Sequence, residues 1–224
     1  RPVDIVPASF PARLAHLLYL RFSAGLPGLL VLPCELIENN GDTLRDIVLR
    51  HARDWELDED FVRYVTKECS FRNTLVDRIV SGAPGEPMDL GYEDALVNTS
   101  EAFHLWVIEA PQSVAEEFPA HRAGLNVLFV PSEEPYHERK VTLLNGPHTV
   151  LSPVAFLSGL NIVREACQHP VVGRYIHRVM FEELLETLNL PKEELMQFGN
   201  DVLERFNNPF VDHQVTSIML NSFP

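Results

Sequence analysis

The run Lys140-Val-Thr-Leu-Leu-Asn145-Gly146-Pro147-His148 gathers a lysine, a carboxamide and an imidazole within nine residues. These are the groups that oxidation of a secondary alcohol needs when no metal assists. A buried lysine with a lowered pKa takes the hydroxyl proton. An asparagine NH2 holds the developing alkoxide. A histidine hydrogen-bonds the reacting or neighbouring oxygen and fixes the substrate. Asn145 and His148 are three apart and share a face if the segment is helical. Lys140 and His148 lie just over two turns apart, so the lysine can point the same way. Gly146-Pro147 predicts a kink or a restart that puts His148 in a first turn. A surface lysine, a helix-end asparagine before glycine and a first-turn histidine fit the same spacing, and on spacing alone that plainer reading stands ahead.

Around this run the sequence changes texture. Before it, strands and helices mix. Ser9 and Pro11 start a helix carrying Leu14, Leu17, Leu18 and Phe22. Leu29 to Pro33 reads as a short, fully buried strand. Asp42 caps a second helix with Leu44, Ile47, Val48 and Ala52 on one face. Asp58 opens a third with Phe61, Tyr64 and Val65. Thr74 to Val80, Phe103 to Ile108 and Leu125 to Val130 read as strands, and the Gly- and Pro-rich 81–91 as a loop. From Glu138 onward the periodicity is helical. Val154, Leu157, Leu160 and Val163 make one stripe, and Ile176, Val179, Met180, Leu184 and Leu188 another. Pro191 starts a helix with Leu195, Phe198, Val202 and Phe206, and Pro209 a last one with Val215, Ile218 and Met219. The expected fold is an α/β partial sheet, the end of a Rossmann-type domain, followed by an all-α C-terminal domain, with the boundary near 131–140. Lys140 then falls just past the boundary, where ligand clefts form.

Composition removes several classes. The formal charge of −14 argues against nucleic acid, which needs clustered Lys and Arg, and against an anionic membrane surface. No apolar run reaches the roughly 20 residues of a membrane span. Cys34, Cys69 and Cys167 are odd in number and widely spaced, so they offer neither a disulfide framework nor a metal knuckle. They read as small buried hydrophobes in a reducing, cytoplasmic compartment. HExxH, GxSxG and P-loop patterns are all missing.

Lys-x4-Asn-x2-His resembles the catalytic pattern of the polyol-specific long-chain dehydrogenases, the mannitol dehydrogenase family. Leu32-Pro-Cys-Glu-Leu-Ile-Glu-Asn-Asn-Gly41, Asn73-Thr-Leu-Val-Asp-Arg-Ile-Val80, Phe103-His-Leu-Trp-Val-Ile-Glu109 and Leu143-Leu-Asn-Gly-Pro-His-Thr149 look most like its tagaturonate reductase branch. Arg205-Phe-Asn-Asn-Pro-Phe210 and Ile218-Met-Leu-Asn-Ser222 extend the likeness over nearly the whole chain.

The resemblance implies hydride exchange between NAD(H) and a sugar acid, without a metal. Lys140 becomes the general base, Asn145 and Asn40 the oxyanion hole, and His148 the substrate-orienting histidine. On its own, Asn40-Gly41 reads as an ordinary turn before a helix. Asp77 matches an acid near substrate, or it pairs with Arg78 or another base. Arg78 meets a carboxylate or phosphate, or ends a strand in solvent. His213, placed on the last helix, lines the substrate cleft or lies on a helix surface. Relatives often carry a proton-relaying Glu three residues before the lysine; here His137 stands there with Glu138 beside it, and either is a relay. Pro147 replaces a smaller residue.

No Gly-x-Gly-x-x-Gly follows a strand, so the NAD fingerprint is absent. Residues 1–135 are expected to be the C-terminal part of the dinucleotide-binding domain, and 136–224 a helical substrate domain, in a fragment inactive alone. A fructuronate reductase or polyol dehydrogenase, and a non-catalytic helical binding module, are the alternatives. The sequence leaves the oligomeric state open.

Overall fold

The computed structural model describes residues 6–84 and 88–220. Gly85 to Pro87 of the expected loop, and Asn221 and Ser222 of the last motif, lie outside the described residues. Helices α1 (Phe10–Ser23), α2 (Asn40–Asp54) and α3 (Glu59–Lys67) interleave with strands β1 (Leu30–Val31) and β2 (Ser70–Phe71). Strands β3 (Thr74–Asp77), β4 (Val80–Gly82), β5 (Thr99–Ser100) and β6 (Leu105–Glu109) follow, then α4 (Gln112–Glu117) and β7 (Val127–Val130). The rest is helical: α5 (Glu134–Lys140), α6 (Gly146–Leu157), α7 (Val163–Gln168), α8 (Val172–Arg178), α9 (Lys192–Phe206) and α10 (Val215–Met219). A partial Rossmann-type sheet thus precedes an all-α region, as the pattern predicts. The chain forms two compact units, Arg1–Val76 with Leu105–Glu133, and Asp77–His104 with Glu134–Pro224.

In the first unit, β1 pairs parallel with β2, and β6 parallel with β7 in the order β3-β6-β7. Ser9 caps α1 by accepting from the Ala12 N–H. Leu18, Val48, Ala52, Phe61, Tyr64 and Val65 form its helical core. Asn40 and Gly41 make up the tight start of α2. The Asn40 Nδ2 donates to the carbonyls of Pro33, Glu35 and Thr74, while its Oδ1 accepts from the Thr74 N–H. Asn73 Oδ1 accepts from the Asp42 N–H, so a distant carboxamide satisfies an orphan donor of the first turn. Asp42 therefore sits inside that turn and is not the cap. Gly41 packs so closely that an added Cβ would overlap the Arg72 carbonyl.

Several expectations are corrected. The first strand covers two residues and is half-buried, shorter than Leu29 to Pro33. The Thr74–Val80 strand breaks after Asp77, because the Glu101 carboxylate takes the Ile79 N–H at 2.6 Å in place of a ladder carbonyl. Strand β4 continues into the expected loop and pairs antiparallel with β5. Leu157 is 84 % exposed and off its stripe, and Cys34 is exposed. The last helix starts at Val215, because an isolated bridge between Ile162 and Gln214 holds the preceding residues extended.

Gly41→Ala is expected to destabilise the chain by about 1–3 kcal/mol through overpacking against a backbone that has no side chain to move. Urea denaturation tests this, and an unchanged midpoint would show that the close approach constrains nothing.

Candidate active site

Lys140, Asn145 and His148 lie on one continuous helical run in the second unit. Helix α5 ends at Lys140 and α6 begins at Gly146, with Val141–Asn145 forming a π turn between them. The Gly146 N–H donates to the Val141 carbonyl, an i→i+5 bond. Backbone angles stay right-handed α at both junctions (Lys140 φ −64, ψ −47; Gly146 φ −55, ψ −55). The expected kink or restart is thus replaced by a widened turn. Pro147 supplies the reason: it has no N–H, and in a regular α-helix its ring would meet the carbonyl four residues back, that of Leu143. Lys140 is half-buried, Asn145 exposed and His148 buried.

On α5, His137 is half-buried and Glu138 exposed. The buried Arg139 lies over the rings of Tyr136 and Phe198, at 5.1 and 4.4 Å, and pairs with Glu194 of α9. That clamp fixes the helix from which Lys140 projects.

His148 is sealed by aromatic rings. It stacks on Phe206 at 4.3 Å and meets His213 edge-on at 5.0 Å. Its Nε2 is buried and has no hydrogen-bond partner among the described residues. Burial pushes its pKa from 6.5 to about 3, with His213, Arg205 and Lys140 adding to the effect. The imidazole is therefore neutral near pH 7, one nitrogen a donor and the other an acceptor. His213 is not on the last helix but in the extended stretch before it, where its carbonyl accepts from the Val163 N–H. Burial lowers its pKa as well.

Asp77 is buried and pairs with Arg205 rather than with Arg78. Arg205 Nη2 and Nη1 donate to the two Asp77 oxygens at 2.7 and 3.1 Å. Nε and Nη2 also donate to Glu101 at 2.9–3.1 Å, and Phe103 covers the guanidinium at 4.2 Å. Burial alone would lower the Arg205 pKa; the hydrogen bonds to Asp77 and Glu101 more than reverse it. Arg78 is exposed, and its Nε donates to the Glu101 carbonyl.

Arg205-Phe206 thus gathers Asp77, His148 and His213. Sequence reasoning missed the roles of Arg205 and Glu101. A signal was present: Leu195, Phe198, Val202 and Arg205 follow one another at helical spacing, and a charge on a buried stripe must find a partner. Asn40 belongs to the first unit, where both Nδ2 hydrogens and Oδ1 are taken by backbone groups.

The short parallel sheet followed by an all-helical region defines a Rossmann-type α/β architecture with a helical C-terminal part. Two family models match: the mannitol dehydrogenase Rossmann domain over residues 5–121 and the mannitol dehydrogenase C-terminal domain over residues 133–223. The chain belongs to the mannitol dehydrogenase family. It is 63 % identical to an altronate oxidoreductase of Phocaeicola vulgatus and 61 % identical to one of Bacteroides thetaiotaomicron, in each case over 99 % of this chain and 48 % of that protein. The chain therefore spans about half the length of the curated relatives it matches. It shares a fold with Pseudomonas fluorescens mannitol 2-dehydrogenase, solved as a ternary complex with NAD and D-mannitol: TM-score 0.70, 24 % identity, covering 97 % of this chain and 45 % of that one.

Two outcomes are expected. Because the folded pKa of His148 is depressed, the unfolded chain binds the extra proton, so its contribution to stability is full above about pH 6.5 and is lost as pH falls toward 3. His148→Phe should flatten the melting temperature over that window, and coincident profiles for the two proteins would refute it. Arg205→Met leaves Asp77 and Glu101 buried without their cation and should cost about 3–5 kcal/mol, read by urea denaturation.

Proposed function

We propose that the chain supplies the alcohol-side chemistry of an NAD-dependent oxidoreductase that interconverts D-altronate and D-tagaturonate. The observation that carries the reading is the neutral, buried His148, its Nε2 unpartnered, on the same helical run as Lys140 and Asn145. The names of the relatives supply the substrate, and the Rossmann family model supplies the cofactor class.

Lys140 accepts the hydroxyl proton of the alcohol. Asn145 donates from Nδ2 to the oxygen as charge builds on it. His148 hydrogen-bonds the reacting or neighbouring oxygen and fixes the substrate. Asp77, held by Arg205, and His213, edge-on to His148, are assigned to the substrate; Arg78, exposed and with a planar fork, is assigned to the sugar-acid carboxylate. His137 or Glu138 returns the proton to solvent. Asn40 is assigned the start of α2 instead of the oxyanion hole, because its carboxamide is saturated by backbone groups. Nicotinamide is the hydride acceptor in this reading. The sequence holds no Gly-x-Gly-x-x-Gly fingerprint for its diphosphate. Residues 1–135 are assigned to the dinucleotide-binding domain and 136–224 to the substrate domain.

The full-length protein is expected to oxidise NADH with D-tagaturonate, and Lys140→Ala to lower kcat by about 10²–10⁴-fold. Activity on fructuronate or fructose in place of tagaturonate would move the substrate and keep the base. Inactivity on all three, or a mutant as fast as wild type, would overturn the assignment.

A further inference from the structure

Lys140, Asn145 and His148 are separated by five and eight residues. On a regular α-helix, at about 100° per residue, those intervals put Asn145 about 140° and His148 about 80° away from Lys140. That geometry scatters the three side chains around the helix. The run is not regular, however. Its central turn closes with the Gly146 N–H on the Val141 carbonyl, an i→i+5 ring that holds one residue more than an α turn. Five and eight residues then behave as four and seven. Asn145 comes to about 40° and His148 to about 20° from Lys140, one stripe along one face.

We infer that the π turn Val141–Asn145 is a positioning device that converts Lys-x4-Asn-x2-His from a scattered set into a single stripe; the inference rests on the roles proposed above for the three residues. Two neighbours hold the turn open. Pro147 has no N–H with which to close an α turn onto Leu143. Gly146 lies against Leu184, where an added Cβ would come within 3.1 Å of Cδ1, and Leu184 ends a second π turn, Val179–Leu184. Val141, whose carbonyl closes the turn, and Pro147 are positioning residues that act through the register of the helix.

A helix that carries one residue too many responds asymmetrically: removing a residue should do less harm than adding one. In the full-length protein, deletion of the exposed Val141 together with Pro147→Ala, which restores the N–H that closes an α turn onto Leu143, leaves Lys140, Asn145 and His148 at four and seven, the stripe of an ordinary α-helix. We expect a continuous α-helix in its crystal structure, the three side chains on one face as in wild type, and turnover within about tenfold of wild type. An alanine inserted between Val141 and Thr142 widens the spacing to six and nine. It should cost about a hundredfold or more in kcat, with KM less affected. Should the Val141 deletion fail to fold, deletion of Thr142 in the same Pro147→Ala background makes the same test. A folded deletion variant as slow as the insertion variant would overturn the inference, as would a deletion structure with Lys140 turned away from Asn145. A wild-type protein inactive on every sugar tested would instead defeat the proposed function, and the deletion structure would still decide whether the turn absorbs one residue.

Discussion

The second unit is organised around one buried guanidinium. Arg205 holds the Asp77 and Glu101 carboxylates at once, with all three side chains no more than 5 % exposed. Two anions on one cation leave a net negative charge in a poorly solvated place, and such an arrangement persists only when every donor is used. All three nitrogens of the guanidinium donate, and Glu101 also takes the Ile79 N–H. The bonds close loops of 104 and 128 residues, so they specify which segment packs where more than they add net stability. The next residue, Phe206, then stacks on His148. One helix end thereby sets both the acid cluster and the imidazole.

That coupling explains why His148 is neutral. Burial is the main cause, and the Arg205 and Lys140 charges act in the same direction. A proton on this ring would sit in an aromatic slot beside a cation, so it stays off well below neutral pH. A neutral imidazole keeps one donor and one acceptor nitrogen, which is what orienting an alcohol, and then a carbonyl, requires. It also avoids placing a second fixed cation beside the proposed base.

Much of this was legible in the residues. The apolar spacing of Phe61, Tyr64 and Val65 marks the buried face of α3 because a 3.6-residue period lets little else fit. Ser9 announces α1 because its hydroxyl meets the Ala12 N–H. What periodicity misses is where a side chain replaces a backbone partner. Glu101 breaks the strand after Asp77, Asn73 caps α2 from a distance of 31 residues, and the Ile162–Gln214 bridge delays the last helix. Each is a long-range bond made by one atom, with no local signature. Arg205 was readable in principle, because a charge on the apolar stripe of α9 demands a buried acid. Its partners were not, since nothing local distinguishes Glu101 from the chain's other carboxylates.

Pro147 shows how a local rule can be right in its physics and wrong in its outcome. Proline forbids a normal α bond at its position, and a kink is the usual response. Here the chain on both sides of the proline is already committed. Arg139 is clamped between Tyr136 and Phe198, and Leu143, Leu144, Leu151 and Ala155 are buried in one core with Phe198. Bending the helix would pull one of these sets out of its packing. Widening a single turn satisfies the proline without bending the axis, and it rotates the residues after the turn by about one residue's angle relative to those before it, which is the register in which both sets pack.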